Sequence, residues 1–244
     1  MYFQDYIFFL VALLACLAFS GWASAKVHSA YNAFSSEKTR SNMTGYDTAV
    51  RLLRANGVND ISVNRVAGKL SDHYHPAKKM VNLSESTYGD NSVAAVAVAA
   101  HEIGHVMQKK KGYLPYQIRS ALVPVANFGS VIAIPLVLVG ILLDAFLLGA
   151  GDSRLGFTVA LIGVALYGAA TLFQLVTLPV EFNASKRAKQ MLVAEGILTE
   201  EEVYGAKKVL SAAALTYVAG LTVSLVYFLR FFVWVLTIFG RRRR

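Results

Sequence analysis

Cysteine and charged residues are scarce in this 244-residue sequence. Its single cysteine, Cys16, excludes an intrachain disulfide. Charged residues make up only 16% of the chain, whereas 55% is hydrophobic, and a mean hydropathy of +0.47 excludes an ordinary soluble globular protein. We therefore predict an integral membrane protein that is mainly α-helical.

Long apolar runs account for most of this hydrophobicity. A helix needs about 20 apolar residues to cross a bilayer. Three or four segments reach that length: Tyr6 to Ala25, Ala121 to Leu148, Leu155 to Val180 and Ala212 to Phe239. No lysine or arginine precedes the first run, whereas a secretory signal peptide begins with positive charge. The first run is therefore predicted to be a retained membrane anchor.

Acidic residues are the scarcer charges, and 24 basic residues against 15 acidic ones give a net charge of +9. Many of the basic residues flank the apolar runs, where they suit anionic lipid headgroups. No basic segment interleaved with aromatic residues indicates nucleic-acid binding. We therefore expect membrane lipid as a partner and no nucleic acid, while the oligomeric state is left open.

The distribution of the basic residues predicts which side of the membrane is cytoplasmic. The positive-inside rule places Lys26, the run Lys109 to Lys111 and Lys186 on the cytoplasmic side of the cell's inner or plasma membrane. Four crossings would then leave the tail Arg241 to Arg244 outside, against the same rule. Because Arg230 interrupts the last apolar run, a re-entrant or interfacial segment there is an alternative.

The sequence His101-Glu102-Ile103-Gly104-His105 is the most informative motif. Helical residues four apart share one face, so both imidazoles can bind a single Zn²⁺ while Glu102 acts as general base on the attacking water. N-cap candidates at 90–92 and a glycine at 112 predict a helix over about 92–111. The motif predicts a zinc metallopeptidase with one zinc ion per chain. A buried helix whose histidines merely bond to neighbouring residues is the alternative.

A water-facing region over 26–120 contains this helix. Another helix is predicted near 44–56, and extended runs at about 61–66 and 79–84 precede the motif. The run Met80 to Ser84 is a candidate edge strand that would pair with an extended substrate, although an ordinary strand packed under the helix is equally consistent. The region is thus predicted to be a small α+β catalytic unit.

Catalytic zinc usually has three protein ligands, so the motif requires one more. The candidates are the carboxylates of Asp144 and Glu181 and the remaining histidines, His28, His73 and His75. Asp144 would lie about 35 Å along a helix that begins near residue 121, at the opposite membrane face. The chain returns before Glu181, which is therefore the predicted third ligand. Asn183 or Ser185 could orient a ligand through a hydrogen bond.

The sequence Ser71-Asp72-His73-Tyr74-His75-Pro76 suggests a second, weaker metal site. In an extended strand, His73 and His75 would share one face. A turn before Pro76, in which Asp72 accepts hydrogen bonds from the backbone, is the simpler interpretation.

Several segments together resemble the YugP-type family of membrane zinc metallopeptidases, over nearly the whole chain. They are Leu70 to Tyr74, Ser92 to Val96, Ala99 to His105, Pro179 to Ser185 and Ala212 to Ala219. The family pattern has Asp where this chain has His75. More distantly, the chain is similar to the HtpX and CAAX-prenyl endopeptidase group of gluzincins, in which Asp follows the ligand Glu by four residues; Ser185 stands there in this chain. The resemblance implies a gluzincin-like zinc peptidase that acts on membrane or misfolded proteins.

We therefore predict a single membrane-embedded peptidase domain over 1–244. Its parts are an anchor (1–25), the catalytic region (26–120), a transmembrane hairpin (121–180), a third-ligand segment (181–210) and a C-terminal membrane segment with its basic tail (211–244). Tyr217 is the predicted donor to the oxyanion, with an interfacial anchor as its alternative role. The alternatives to this enzyme are an intramembrane site-2-type protease and a non-catalytic zinc-binding scaffold.

Overall fold

The computed structural model describes residues 3–147 and 154–240. Within them, seven helices and three short strands follow one another along the chain. The order is α1 (Phe3–Ser35), α2 (Gly45–Ala55), β1 (Ser62–Val66), β2 (His73–His75), β3 (Met80–Ser84), α3 (Glu85–Tyr88), α4 (Val93–Lys110), α5 (Leu114–Leu147), α6 (Arg154–Ala194) and α7 (Glu200–Gly240). The mainly α-helical class with a small α+β region is confirmed.

Four of these helices are long and apolar enough to cross a membrane. By length and composition, the candidate spans within the described residues are Ile7–Ser35, Leu114–Phe146, Leu155–Ala194 and Glu200–Phe239. Each overlaps one of the four apolar runs of the sequence, and most extend beyond it. The last one is an unbroken helix, so the re-entrant hairpin considered for it is wrong. The Arg241 to Arg244 tail lies outside the described residues, and the orientation of the chain stays a prediction.

One compact unit combines residues 1–21, 118–177 and 217–244, of which the described part is helical. Glycines allow α5 and α6 to pack closely, because a Cβ atom on Gly140 would lie 2.6 Å from the Gly156 carbonyl oxygen. Small residues serve this purpose between membrane helices, where hydrophobic burial contributes little. The guanidinium of Arg230 lies 5.1 Å from the centroid of the Phe9 ring, which gives this charge a cation–π contact.

The other compact unit combines residues 22–117 and 178–216. Its three-stranded sheet has the order β1-β3-β2, in which β3 is parallel to β1 and antiparallel to β2. The sheet, α2 and α4 enclose a core of fully or almost fully buried side chains. This core includes Leu52, Val81, Leu83, Val96 and Ile103.

Local signals explain where α2 and α4 begin and end. Thr44 and Asp47 form a capping box at the start of α2, and Gly57 follows its end with φ of +62°. The Ser92 hydroxyl caps α4 by accepting the Ala95 N–H, and Gly112 follows α4 with φ of +63°. The predicted helices near 44–56 and 92–111 are confirmed.

Two expectations for the strands are wrong. The segment before Pro76 forms the strand β2 and not a turn, and Asp72 accepts the backbone N–H of the distant Ser84 at 2.7 Å in place of a local one. The run Met80 to Ser84 is the central strand, paired on both sides, so it presents no free edge to a substrate. The edge strands are β1 and β2, and the sequence offered β2, which is only three residues long and polar, as the alternative to a turn.

Candidate metal centre

Two elements bring three metal-binding side chains together. Helix α4 supplies His101 and His105, and α6 supplies Glu181. The Oε2 atom of Glu181 lies 3.1 Å from Nε2 of His101 and 3.7 Å from Nε2 of His105. All three ligand atoms lie within 4.8 Å of one another, and Glu181 is only 2% exposed. The three residues singled out in the sequence therefore meet at one point.

The glycine inside the motif allows the close approach of α6 to α4. A Cβ atom on Gly104 would lie 2.6 Å from the carbonyl oxygen of Ala184 and 3.1 Å from its Cα atom. Any side chain at this position would therefore separate the helix of the two histidines from the helix of Glu181. This contact gives Gly104 a physical role in bringing the two parts of the site together.

Hydrogen bonds hold both imidazoles at their Nδ1 atoms. The Ser185 hydroxyl lies 3.2 Å from Nδ1 of His101, and the Oε1 atom of Gln108 lies 3.0 Å from Nδ1 of His105. Asn183 does not lie against either histidine but accepts a hydrogen bond from Gln108. Each ring therefore directs its Nε2 atom toward the Glu181 carboxylate.

Glu102 lies buried beside this group and is 7% exposed. Burial is the main cause that raises the pKa of Glu102 to about 7, and the nearby Asp72 and Glu181 carboxylates act in the same direction. The neighbouring His101 and the backbone N–H of Tyr74 oppose this shift of the pKa. The Tyr74 backbone thus places β2 directly against the Glu102 carboxylate.

The donor set fits zinc. Two imidazole nitrogens and one carboxylate oxygen are ligands that catalytic zinc sites use, with one position left open. The Nδ1 atoms of both histidines take part in hydrogen bonds, so a metal ion would be bound through their Nε2 atoms. Glu181 adds a negative charge at the same point, which a divalent cation would compensate.

The other candidate ligands lie elsewhere. Asp144 belongs to α5 in the other compact unit, and His28 is exposed on α1. His73 contacts the Ser71 carbonyl and the Asn82 amide, and Nδ1 of His75 accepts the Lys78 N–H. Within residues 3–147 and 154–240, the group that could hold a metal ion is His101, His105 and Glu181. A second site at His73 and His75 therefore has no support.

Tyr217 lies half-buried on α7, in the other compact unit. Its role as oxyanion donor stays a prediction. Sequence reasoning missed three residues that do lie beside the motif: Gln108, Tyr74 and Tyr116, whose ring centroid is 6.4 Å from that of His105. The helical spacing of Gln108, three residues after His105, was the signal that could have revealed one of them.

Long apolar helices together with this His-His-Glu group and a buried glutamate are features of a membrane zinc peptidase. Residues 7–236 match the family described as "Putative neutral zinc metallopeptidase". The chain therefore belongs to this family of neutral zinc metallopeptidases. It is also 45% identical over 224 residues to "Putative membrane protease YugP" of Bacillus subtilis (strain 168), with 91% of this chain and 94% of that protein covered. No solved structure matches the chain.

These comparisons confirm the resemblance to the YugP-type family that was drawn from the sequence. A family of zinc metallopeptidases implies zinc as the metal and peptide bonds as the target. The membrane relative and the four apolar helices together indicate an integral membrane protein.

Proposed function

We propose that the protein is a zinc-dependent membrane endopeptidase that holds one zinc ion per chain. The observation that carries this proposal is the position of the buried Glu102 carboxylate beside a compact group of His101, His105 and Glu181. Membership of a zinc metallopeptidase family supports the reaction class. The donor chemistry of the three side chains supports the metal.

In this proposal, His101 and His105 bind zinc through Nε2 and Glu181 binds it through a carboxylate oxygen. When bound, zinc supplies a Lewis acid that polarises the scissile carbonyl and lowers the pKa of water. The protein holds the ligands ready for this role, because Ser185 and Gln108 orient the imidazoles before the ion arrives.

Glu102 is the proposed proton carrier. Its carboxylate takes a proton from the attacking water and later delivers that proton to the nitrogen of the leaving amine. The Tyr74 backbone N–H holds the carboxylate in place from the strand side. Because Glu102, His101 and His105 all lie on α4, the proton carrier and the two histidine ligands move as one rigid helix.

The edge strand β2 is the proposed docking place for the substrate backbone. In an antiparallel ladder, the N–H and C=O of one residue point to the same edge, so the Tyr74 carbonyl faces the same side as the N–H that meets Glu102. An extended peptide could pair with this edge and bring its scissile bond to Glu102.

Blocking one backbone N–H of a peptide substrate is expected to test this docking. N-methylation at the residue that pairs with Tyr74 should lower kcat/KM by about tenfold, because a hydrogen bond of the ladder is lost. Methylation of the next residue, whose N–H points away, is the matched control. N-methylation can be moved along the peptide one residue at a time. If no position lowered kcat/KM more than its neighbours did, the result would contradict pairing with β2.

The proposed substrates are membrane or misfolded proteins, cleaved on the cytoplasmic side. The test uses the full chain in detergent with an unfolded protein as substrate. Removal of zinc by a chelator should lower the rate of hydrolysis at least about a hundredfold, since a Lewis acid stabilises the transition state by several kcal/mol. Added Zn²⁺ should restore activity, and Mg²⁺ or Ca²⁺ should not. Hydrolysis that is unaffected by chelation would refute the proposal.

Two other functions have less support. A site-2-type protease that uses the motif helix as a membrane span is disfavoured, because α4 is not among the candidate spans of the described residues. A zinc-binding scaffold would need no proton carrier, yet Glu102 is buried against the cluster. Zinc binding without any hydrolysis by the wild-type protein would favour the scaffold.

A further inference from the structure

A chain of hydrogen bonds, buried around Gln108 and partly buried at Asn183 and Arg187, connects His105 to a cation on α6. Nε of Arg187 donates to Oδ1 of Asn183 at 2.7 Å. Nε2 of Gln108 donates to the same oxygen at 3.1 Å and to the Val180 carbonyl at 2.7 Å, while Oε1 of Gln108 lies 3.0 Å from Nδ1 of His105. We call Arg187, Asn183 and Gln108 the amide relay.

Each bond of the amide relay has only one possible direction. A guanidinium has donors and no acceptor, so the Asn183 oxygen, and not its nitrogen, must face Arg187. That oxygen and the Val180 carbonyl can only accept, which requires Gln108 to present its NH₂ group to both. The Gln108 oxygen is therefore left facing His105, whose Nδ1 must carry a hydrogen in order to bond to it.

We propose that the amide relay fixes the tautomer of His105, with the proton on Nδ1 and the lone pair on Nε2. Gln108 is then a positioning residue that prepares the His105 ring for a metal ion. The inference rests on the proposed function only for the identity of that ion as zinc. The hydrogen bonds that carry the inference lie within one compact unit of the described chain.

Burial makes the opposite arrangement unfavourable. Gln108 is completely buried, so no water is at hand to compensate for a reversed amide. If the Gln108 amide flipped, its oxygen would face the Val180 carbonyl and the Asn183 oxygen, and three acceptors would meet without a proton between them. The ring of Tyr113 also lies 6.0 Å from the Arg187 guanidinium and helps to hold the origin of the relay in place.

The two imidazoles differ in the group that their Nδ1 atoms contact. Nδ1 of His101 meets the Ser185 hydroxyl, which can donate or accept by rotating, so this contact imposes no direction. Of the two Nδ1 contacts, only that of His105 is made with a group that cannot reverse its polarity. The relay also spans α4 and α6, and the helix that carries Glu181 therefore sets the proton position on a ligand of the other helix.

The test is a long-range ¹H–¹⁵N spectrum of ¹⁵N-histidine-labelled, metal-free protein at alkaline pH, where imidazoles are neutral. The chain has five histidines, and a His105→Asn variant assigns the resonance. We expect a single Nδ1–H tautomer for His105 in the wild type. Gln108→Met, which keeps the volume but removes the amide, should give a mixture of tautomers and should weaken zinc binding about 10–100-fold in competition with a chelator.

A matched pair at Asn183 separates the proton position from simple packing. Asn183→Asp keeps an oxygen that accepts from both Arg187 and Gln108, and should retain the single tautomer. Asn183→Leu has a similar volume and should lose it. The inference is overturned if Gln108→Met or Asn183→Leu retains a single Nδ1–H tautomer, or if the wild type shows a mixture. Because the spectrum needs no metal, a wild type that binds no zinc would refute the proposed function and leave this test intact.

Discussion

Replacing Glu102 with Gln is expected to lower kcat/KM by about 10²–10⁴-fold, the range that positioned acid–base groups contribute. An amide at this position has nearly the same shape but cannot take a proton from water. The variant should keep its zinc, because the three proposed ligands are unchanged. Peptide hydrolysis and elemental analysis on the same detergent-purified sample measure both quantities.

A control for this substitution is Glu85→Gln, which removes an exposed carboxylate whose partner is Arg65. Glu85 lies in the same compact unit as Glu102, and its replacement should leave hydrolysis unchanged. If Glu102→Gln hydrolysed peptides as fast as the wild type, the proton carrier would have to be another residue. If both variants lost activity equally, the loss would reflect a general effect of charge.

Replacing Glu181 with Ala is expected to have the largest effect on the metal. The carboxylate is buried between the two imidazoles, so its removal deletes a charge and a ligand together. Residues that merely support a ligand contribute about 10–100-fold to metal affinity, and a direct ligand should contribute more. Competition with a chelator gives the dissociation constant for the variant and the wild type.

Thermal unfolding provides a second readout for Glu181→Ala. A ligand present at 100 times its Kd stabilises the folded state by about 2.7 kcal/mol. The wild type should therefore unfold at a higher temperature with zinc than without it, and the variant should show no such difference. Glu195→Ala is the control. The Glu195 carboxylate lies 3.6 Å from Nε of Arg51 and is not one of the proposed ligands. Full zinc retention by Glu181→Ala would rule out this residue as the third ligand.

The sequence alone predicted the helix α4 with its two histidines, and also Glu181 as the third ligand. The caps at Ser92 and Gly112 define α4 locally, and the spacing of His101 and His105 on it follows from helical geometry. Glu181 was predicted by counting membrane crossings, because long apolar runs reverse the direction of the chain in a regular way. The structure brings these residues together as expected.

The strands were harder to predict, because their pairing depends on distant residues. A strand of five residues can be central or at an edge, and only its neighbours decide. Met80 to Ser84 pairs with β1 in parallel, a partner 18 residues earlier at Ser62, and with the three polar residues of β2 on its other side. Neither partner leaves a clear signal in the hydrophobic pattern.

The hydrogen bonds around the site were also only partly predictable. Asn183 and Ser185 were expected near a ligand because they follow Glu181 closely on the same helix. Only Ser185 contacts a histidine, whereas Asn183 acts on His105 through Gln108. The direction of an amide depends on every donor and acceptor around it, and therefore on tertiary packing.

The proposed function depends above all on one zinc ion bound by two imidazoles and the Glu181 carboxylate. X-ray absorption at the zinc edge, on wild-type protein purified in detergent and exhaustively dialysed, tests it most directly. We expect about one zinc per chain with four nitrogen and oxygen ligands at about 2.0–2.2 Å, two of them imidazoles. A sulfur ligand at about 2.3 Å would contradict this site, because the chain has a single cysteine, Cys16, which is not in the group of His101, His105 and Glu181. The absence of zinc even after reloading would contradict it as well.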